Sequence, residues 1–199
     1  MTAPPFVGLT GGIGAGKSEA LSALERLGAS TISSDKVVHE LYEDPEVIAL
    51  VVARWGEDVA PGGRVDRGAI ARSAFVDDDE RHFLEGLLWP RVGARVAAWR
   101  EAESRRSPAP RALVVETPLL FEAGLEGNYD ATIAIVADEA VRAARAEARG
   151  HEALDERTAR QLTQAEKAQR ATYAVENSGS LRELEQELSG VLAKLSDRS

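Results

Sequence analysis

Eight residues near the start of the chain carry the clearest chemical signal. Gly11-Gly12-Ile13-Gly14-Ala15-Gly16-Lys17-Ser18 meets every fixed position of G-x-x-x-x-G-K-[ST]. Glycines let the backbone take positive φ and turn successive N–H groups into one concavity that an anion can fill. A helix opening near Lys17 adds the positive end of its dipole. Lys17 then reaches the β- and γ-phosphates of a nucleotide, and the Ser18 hydroxyl ligates Mg²⁺. The nucleotide-binding stretch is read as Gly12, Ile13, Gly14, Ala15, Gly16, Lys17, Ser18 and Glu19. The motif points to nucleoside triphosphate and Mg²⁺; it does not separate GTPase, ATPase and kinase. The guanine-reading string N-K-x-D is absent, which argues against a GTPase. "ALVVE" ends on Glu116, a partial match to the acid-ended strand of motor and transport ATPases that an ordinary strand-end carboxylate fits equally.

Two further sets of residues have the right chemistry for work on phosphates. Asp35 stands just past the strand candidate "ASTIS". Ligands of open parallel sheets bind beyond the carboxyl ends of strands, so a carboxylate there can accept a proton from an attacking hydroxyl; on spacing alone the same Asp is better read as the cap of the following helix. Arg142, Arg145 and Arg149 are spaced i, i+3, i+7 and share a helix face, and Arg157, Arg160 and Lys167, at i, i+3, i+10, are read as sharing a face of the next helix. Such a face is either solvated and balanced by Glu147, Glu152, Glu156 and Glu166, or a set of cations for a moving phosphoryl group. His39, His82 and His151 have no metal-ligand spacing.

The elements that must position these residues alternate. Strands are predicted at "FVGLT" (6–10), "ASTIS" (29–33), "RALVVETP" (111–118), "DATIAIVAD" (130–138) and "ATYAVEN" (171–177). The first is followed by a helix over 17–27, with Leu21, Leu24 and Leu27 on one face and Gly28 as its stop. Alternation of strand and helix predicts an α/β fold, a parallel sheet covered on both faces by helices. Residues 35–105 read as an inserted helical subdomain, with Pro90 splitting "DDERHFLEGLL" from "RVGARVAAWREAE". Trp55, Phe75, Phe83, Trp89 and Trp99 are expected in its core. Residues 138–170 form a second helical region, its first helix opening at Asp138 and stopping at Gly150. The last helix begins with a capping box, Ser180 to Glu183.

Composition narrows the class. The chain has 199 residues and 44% hydrophobic residues, enough for one well-buried core. With 24 Lys+Arg against 33 Asp+Glu the net charge is −9, which argues against a general nucleic-acid binder. Cysteine is absent, so no disulfide or thiolate site is available. The start, "MTAPPFVGL", does not read as a signal peptide, and no stretch approaches a membrane span, so a cytoplasmic protein is expected.

Four strings together, "GLTGGIGAGKS", "SSDKVVHEL", "TPLLFEAGL" and "AVENSGSLREL", resemble the dephospho-CoA kinase family, in order and rough spacing over nearly the whole chain. The glycine loop is shared by many kinases; "PLLFE" in this position is more specific. The resemblance implies a P-loop kinase fold with a five-stranded parallel sheet, a core of residues 1–34, 106–137 and 171–199, an acceptor-binding insertion at 35–105 and a lid at 138–170. It implies ATP and Mg²⁺ as cofactor and dephospho-CoA as acceptor, phosphorylated on its ribose 3′-hydroxyl in the last step of coenzyme A synthesis. Asp35 corresponds to the family's catalytic base, Arg145 or Arg149 to its phosphate-contacting arginines, and Asn177 to the residue beside its adenine pocket. Two positions depart from the family pattern. Ser33 and Ser34 stand where D-A-D has its first Asp and Ala, and Trp89-Pro90 stands where His-Pro is common. Rival readings are another small-molecule P-loop kinase, acting on a nucleoside or nucleotide, and an ATP-binding regulator without an acceptor. The oligomeric state is not legible.

Overall fold

The first strand, β1 (Phe6–Gly11), is buried along its whole length and runs straight into the glycine loop. The computed structural model describes residues 3–148 and 161–197. Four more strands pair with or beside β1: β2 (Ser30–Ser33), β3 (Leu113–Glu116), β4 (Ala131–Val136) and β5 (Tyr173–Glu176). Their order is β2-β3-β1-β4-β5, and every pairing is parallel. The strand and sheet expectations therefore hold. Placing β1 at the centre puts the loop that follows it in the middle of the sheet's carboxyl edge, where ligands of open α/β sheets bind.

Alternation along β1 explains how the two faces are covered. Val7 and Leu9 enter a core with Ala20, Ala23 and Leu24 of α1 (Lys17–Arg26) and Leu184, Leu188 and Leu192 of α8 (Leu181–Ser196). Gly8 and Thr10 point the other way. A Cβ on Gly8 would run into Leu120 and Tyr129, so only a glycine lets the segment after β3 lie this close to the strand. Thr10 donates to the Pro118 carbonyl at 3.1 Å, and Lys167 of α7 (Gln164–Arg170) donates to the same oxygen, so α7 covers that face. Gly28, at φ +92°, ends α1, and the Ser180–Glu183 capping box opens α8 as its sequence predicts.

Contacts divide the chain into two compact units, residues 1–33 with 100–199, and residues 34–99. The second unit contains α2 (Ser34–Leu41), α3 (Pro45–Trp55), α4 (Arg67–Ala74) and most of α5 (Asp78–Ser104). Pro90 does not split α5, which corrects the expectation of two helices. Proline removes one N–H and crowds the carbonyl of the residue four before it, here Gly86, which carries no side chain into the turn. The Arg91 guanidinium donates to the Leu87 carbonyl at 2.9 Å, adding a side-chain bond across the same turn. Trp89 and Phe75 are also corrected: they are 53% and 45% exposed. Leu87 and Leu88 fill the buried face of α5, and Trp89 is turned out from it; Phe75 caps the end of α4 where the chain leaves the helix. Trp55 and Phe83 meet edge-on, with Glu80 accepting from the Trp55 indole at 2.7 Å and from Arg54 at 2.9 Å. Among the described residues no helix is long and apolar enough to cross a membrane.

Candidate active site

The glycine loop has the backbone its sequence calls for. Gly14 and Gly16 sit at φ +76° and +89°, in the left-handed region that other residues avoid. Both are also sterically required: a Cβ on Gly14 would strike the Arg142 backbone, and one on Gly16 would strike the Asn177 amide. Gly16 is the N-cap of α1, without a side-chain cap, so the helix opens at Lys17 with its N-terminal end at the loop. Lys17 arches back over it, its ammonium 3.0 Å from the Gly11 carbonyl and 3.3 Å from that of Gly12. Ser18 is exposed in the first turn of α1, and Glu19 follows it, half-buried.

Asn177 braces this loop. It is 2% exposed, and its side-chain amide donates to the Ala15 carbonyl at 2.8 Å. Its own N–H bonds to the end of β4 through Val136, at 2.8 Å. Arg145, on α6 (Glu139–Ala148), donates to the Asn177 carbonyl at 2.9 Å. The guanidinium that reaches the loop itself is Arg142. Its Nε donates to the Ile13 carbonyl at 2.9 Å, while Glu139 holds its Nη1 at 2.7 Å. The helix from Asp138 is therefore real, with Arg142 N–H bonding back to the Asp138 carbonyl, and its arginines are not one solvated row. Arg149, Arg157, Arg160 and the predicted stop at Gly150 lie outside the described residues.

Lys167 corrects the expectation of an exposed basic face on the next helix. It is fully buried, donating to the Pro118 carbonyl at 2.6 Å and lying 3.0 Å from the Glu122 carboxylate. The turn of α7 that carries it faces the sheet, and a lysine can lie there only with such partners. The same helix opens with Thr163 in a capping box with Glu166, and Gln164 both donates to and accepts from the Ala137 backbone at the end of β4. A cavity of about 380 Å³ lies beside the loop, lined by Gly12, Glu139, Arg142 and residues 161–165.

At the ends of β2 and β3, Ser33 and Glu116 are register partners, and the Ser33 hydroxyl donates to the Glu116 carboxylate at 2.6 Å. Glu116 is 5% exposed, so this donor matters; a second carboxylate at position 33 would face it with no proton to give. Asp35 is exposed in the first turn of α2, two residues beyond the end of β2. In the second unit, Arg67 at the start of α4 lies 2.5 Å from the His39 ring. No group of three His, Asp or Glu suited to a metal occurs among the described residues. The exposed Ser18 hydroxyl in the first turn of α1 is an oxygen donor of the kind a phosphate-bound Mg²⁺ accepts.

Sequence reasoning found the loop because all its parts are local. It singled out Arg145 and Arg149 and passed over Arg142, and it missed the Lys167–Glu122 pair because its members are 45 residues apart in the chain. "PLLFE", which contains Glu122, was the one local hint.

Comparison with known proteins agrees with this geometry. The family described as CoaE, dephospho-CoA kinase, matches residues 5–183. A dephospho-CoA kinase of Deinococcus radiodurans is 38% identical over 197 residues, covering 98% of this chain and 94% of that protein. A Thermus thermophilus crystal structure, 33% identical, superimposes with a TM-score of 0.79 over 98% of this chain and 99% of that one. The dephospho-CoA kinase of Campylobacter jejuni, at 21% identity and a TM-score of 0.63 over 96% of this chain and 97% of that one, shares the fold. With a glycine loop on the central strand, the matching strings in order and relatives spanning almost its whole length, the chain belongs to the dephospho-CoA kinase family.

Proposed function

We propose that ATP lies with its phosphates over residues 11–18, with Mg²⁺ on Ser18, and that the ribose 3′-hydroxyl of dephospho-CoA attacks the γ-phosphorus while Asp35 takes its proton. The new oxygen–phosphorus bond forms as the bond to the ADP oxygen breaks. The products are coenzyme A and ADP, the final step of coenzyme A biosynthesis. Loop N–H groups and Lys17 hold the β- and γ-phosphates in place, and bound Mg²⁺ supplies neutralisation of the charge that spreads over their oxygens. Residues 35–105 supply the acceptor-binding part, and residues 138–170 the lid, whose Arg145 and Arg149 are assigned to the transferring group. Lid closure excludes water, so that transfer outruns hydrolysis. A cytoplasmic setting, where ATP and the acceptor are at hand, fits this reading.

The observation that supports the reading most is the loop itself. Left-handed Gly14 and Gly16 and the back-folded Lys17 form a phosphate cradle at the central strand's carboxyl end. The base is the part to test. Asn is nearly isosteric with Asp and caps helices about as well, but it cannot take the proton. Asp35→Asn is expected to lower kcat with dephospho-CoA by about 10²- to 10⁴-fold, with ATP affinity and melting temperature nearly unchanged. A variant that melts like the wild type and turns over within about threefold of it would make Asp35 a helix cap.

A further inference from the structure

Lys167 is the one lysine among the described residues that is fully buried, and binding the loop phosphates gives it no role. Its ammonium joins three separate parts of the first unit. It donates to the Pro118 carbonyl at 2.6 Å, an oxygen that also accepts from Thr10, the residue before the glycine loop. It pairs at 3.0 Å with Glu122 Oε1, and that oxygen also accepts the Leu162 N–H at 2.9 Å. Leu162 belongs to the 161–165 wall of the cavity beside Gly12 and Arg142. Glu122 Oε2 is buried and has no hydrogen-bond partner among the described residues, so Oε1 carries the anchoring.

We infer that Lys167 is a positioning residue for the reaction: through Glu122 and Pro118 it fixes the 161–165 wall against the end of β1, so that the cavity over the phosphate loop closes in one register. A helix of seven residues has little stability of its own. Three ties hold α7 instead: the Thr163 cap, the Gln164 clamp on Ala137 and the Lys167 link. The first two secure the helix start and the end of β4. Within α7 it is Lys167 that reaches the segment after β3, sharing Glu122 with the Leu162 N–H, and through Pro118 it reaches the strand that enters the loop. A wall held loosely admits water to the γ-phosphoryl group, whose acceptor then becomes the water oxygen in place of the ribose oxygen, releasing ADP and inorganic phosphate. The inference rests on the kinase reading above.

The test compares Lys167→Met, Glu122→Gln and the double variant with the wild type, full chain, reading melting temperature, acceptor-dependent ADP release and ADP release without acceptor. Lys167→Met strands the Glu122 carboxylate and is expected to melt lower; the double variant removes that stranded charge and is expected to recover most of the loss. Recovery of stability is not expected to restore the reaction. In the double variant kcat should stay about tenfold or more below wild type, with KM for ATP within about threefold and a larger share of ADP formed by hydrolysis. A double variant that melts near wild type and regains its kcat and its ratio of transfer to hydrolysis would overturn the inference. Failure of all three variants to fold would overturn it too, by assigning the pair wholly to stability. Absence of acceptor-dependent ADP release in the wild type would instead sink the kinase reading beneath it.

Discussion

Asn177→Ala separates two roles for a residue whose string suggested the adenine pocket and whose side chain binds the loop. The amide donates to the Ala15 carbonyl at 2.8 Å and is 2% exposed. Truncation leaves a buried carbonyl without that donor, at a cost of about 1–3 kcal/mol. For a chain of this size each kcal/mol moves the melting temperature by about 2–4 °C, so a fall of about 2–12 °C is expected. Ala15 lies between the left-handed Gly14 and Gly16, so the freed peptide is part of the cradle itself. If binding an anion must restore that geometry, the same 1–3 kcal/mol appears as about a 5- to 150-fold loss of affinity. The assay is calorimetric titration with ATP and, separately, inorganic triphosphate, beside a thermal melt. A brace on the loop weakens both ligands alike. Loss of ATP binding with triphosphate binding unchanged would refute the reasoning and return Asn177 to the adenine, and a lower melting temperature with neither ligand weakened would make it purely structural.

The arginines of α6 should divide. Arg142→Ala removes the donor to Ile13 and is expected to weaken ATP binding, whereas Arg145→Ala is expected to lower kcat more than it weakens dephospho-CoA binding, if its guanidinium leaves the Asn177 carbonyl for the transferring group. Steady-state kcat and KM for both variants check this, and near-normal rates in both would remove α6 from catalysis. In the second unit, hydrogen bonds from Arg54, and next from the Trp55 indole, hold the Glu80 carboxyl below the usual carboxylate range. A depressed carboxylate stabilises the fold above its unfolded pKa and loses that contribution as pH falls through its folded value. Glu80→Gln should therefore lower the melting temperature at neutral pH and flatten its fall below about pH 4.3; melts across that range check it, and an unchanged acid slope would contradict the assignment.

What could be read from the sequence is what depends on neighbours in the chain. Five strands, the loop and the Ser180 capping box follow from apolar runs, fixed glycines and a three-residue spacing. Pro90 misled because a proline ordinarily ends or kinks a helix, and here Asp78–Ser104 runs through it as one helix. Trp89 misled because residue type predicts burial only on average, and the helix turns it away from the face that Leu87 and Leu88 occupy. Lys167 misled because it shares a charge-rich pattern with surface residues, while its partners Pro118 and Glu122 come from a distant segment. Arg142 and Asn177 were noticed as residue types, but their partners, Ile13 and Ala15, meet them only when the sheet brings α6 and the end of β5 beside the loop.

On the kinase reading the phosphoryl group bound on the loop goes to the ribose 3′-hydroxyl of dephospho-CoA. The most direct measurement is coupled ADP release from ATP with and without dephospho-CoA, beside a panel of nucleosides and nucleotides, with the product identified by mass. Release is expected to depend on dephospho-CoA above every other acceptor, with a product heavier by one phosphoryl group that is coenzyme A. Equal release without acceptor, or preference for a nucleoside or nucleotide, would contradict it.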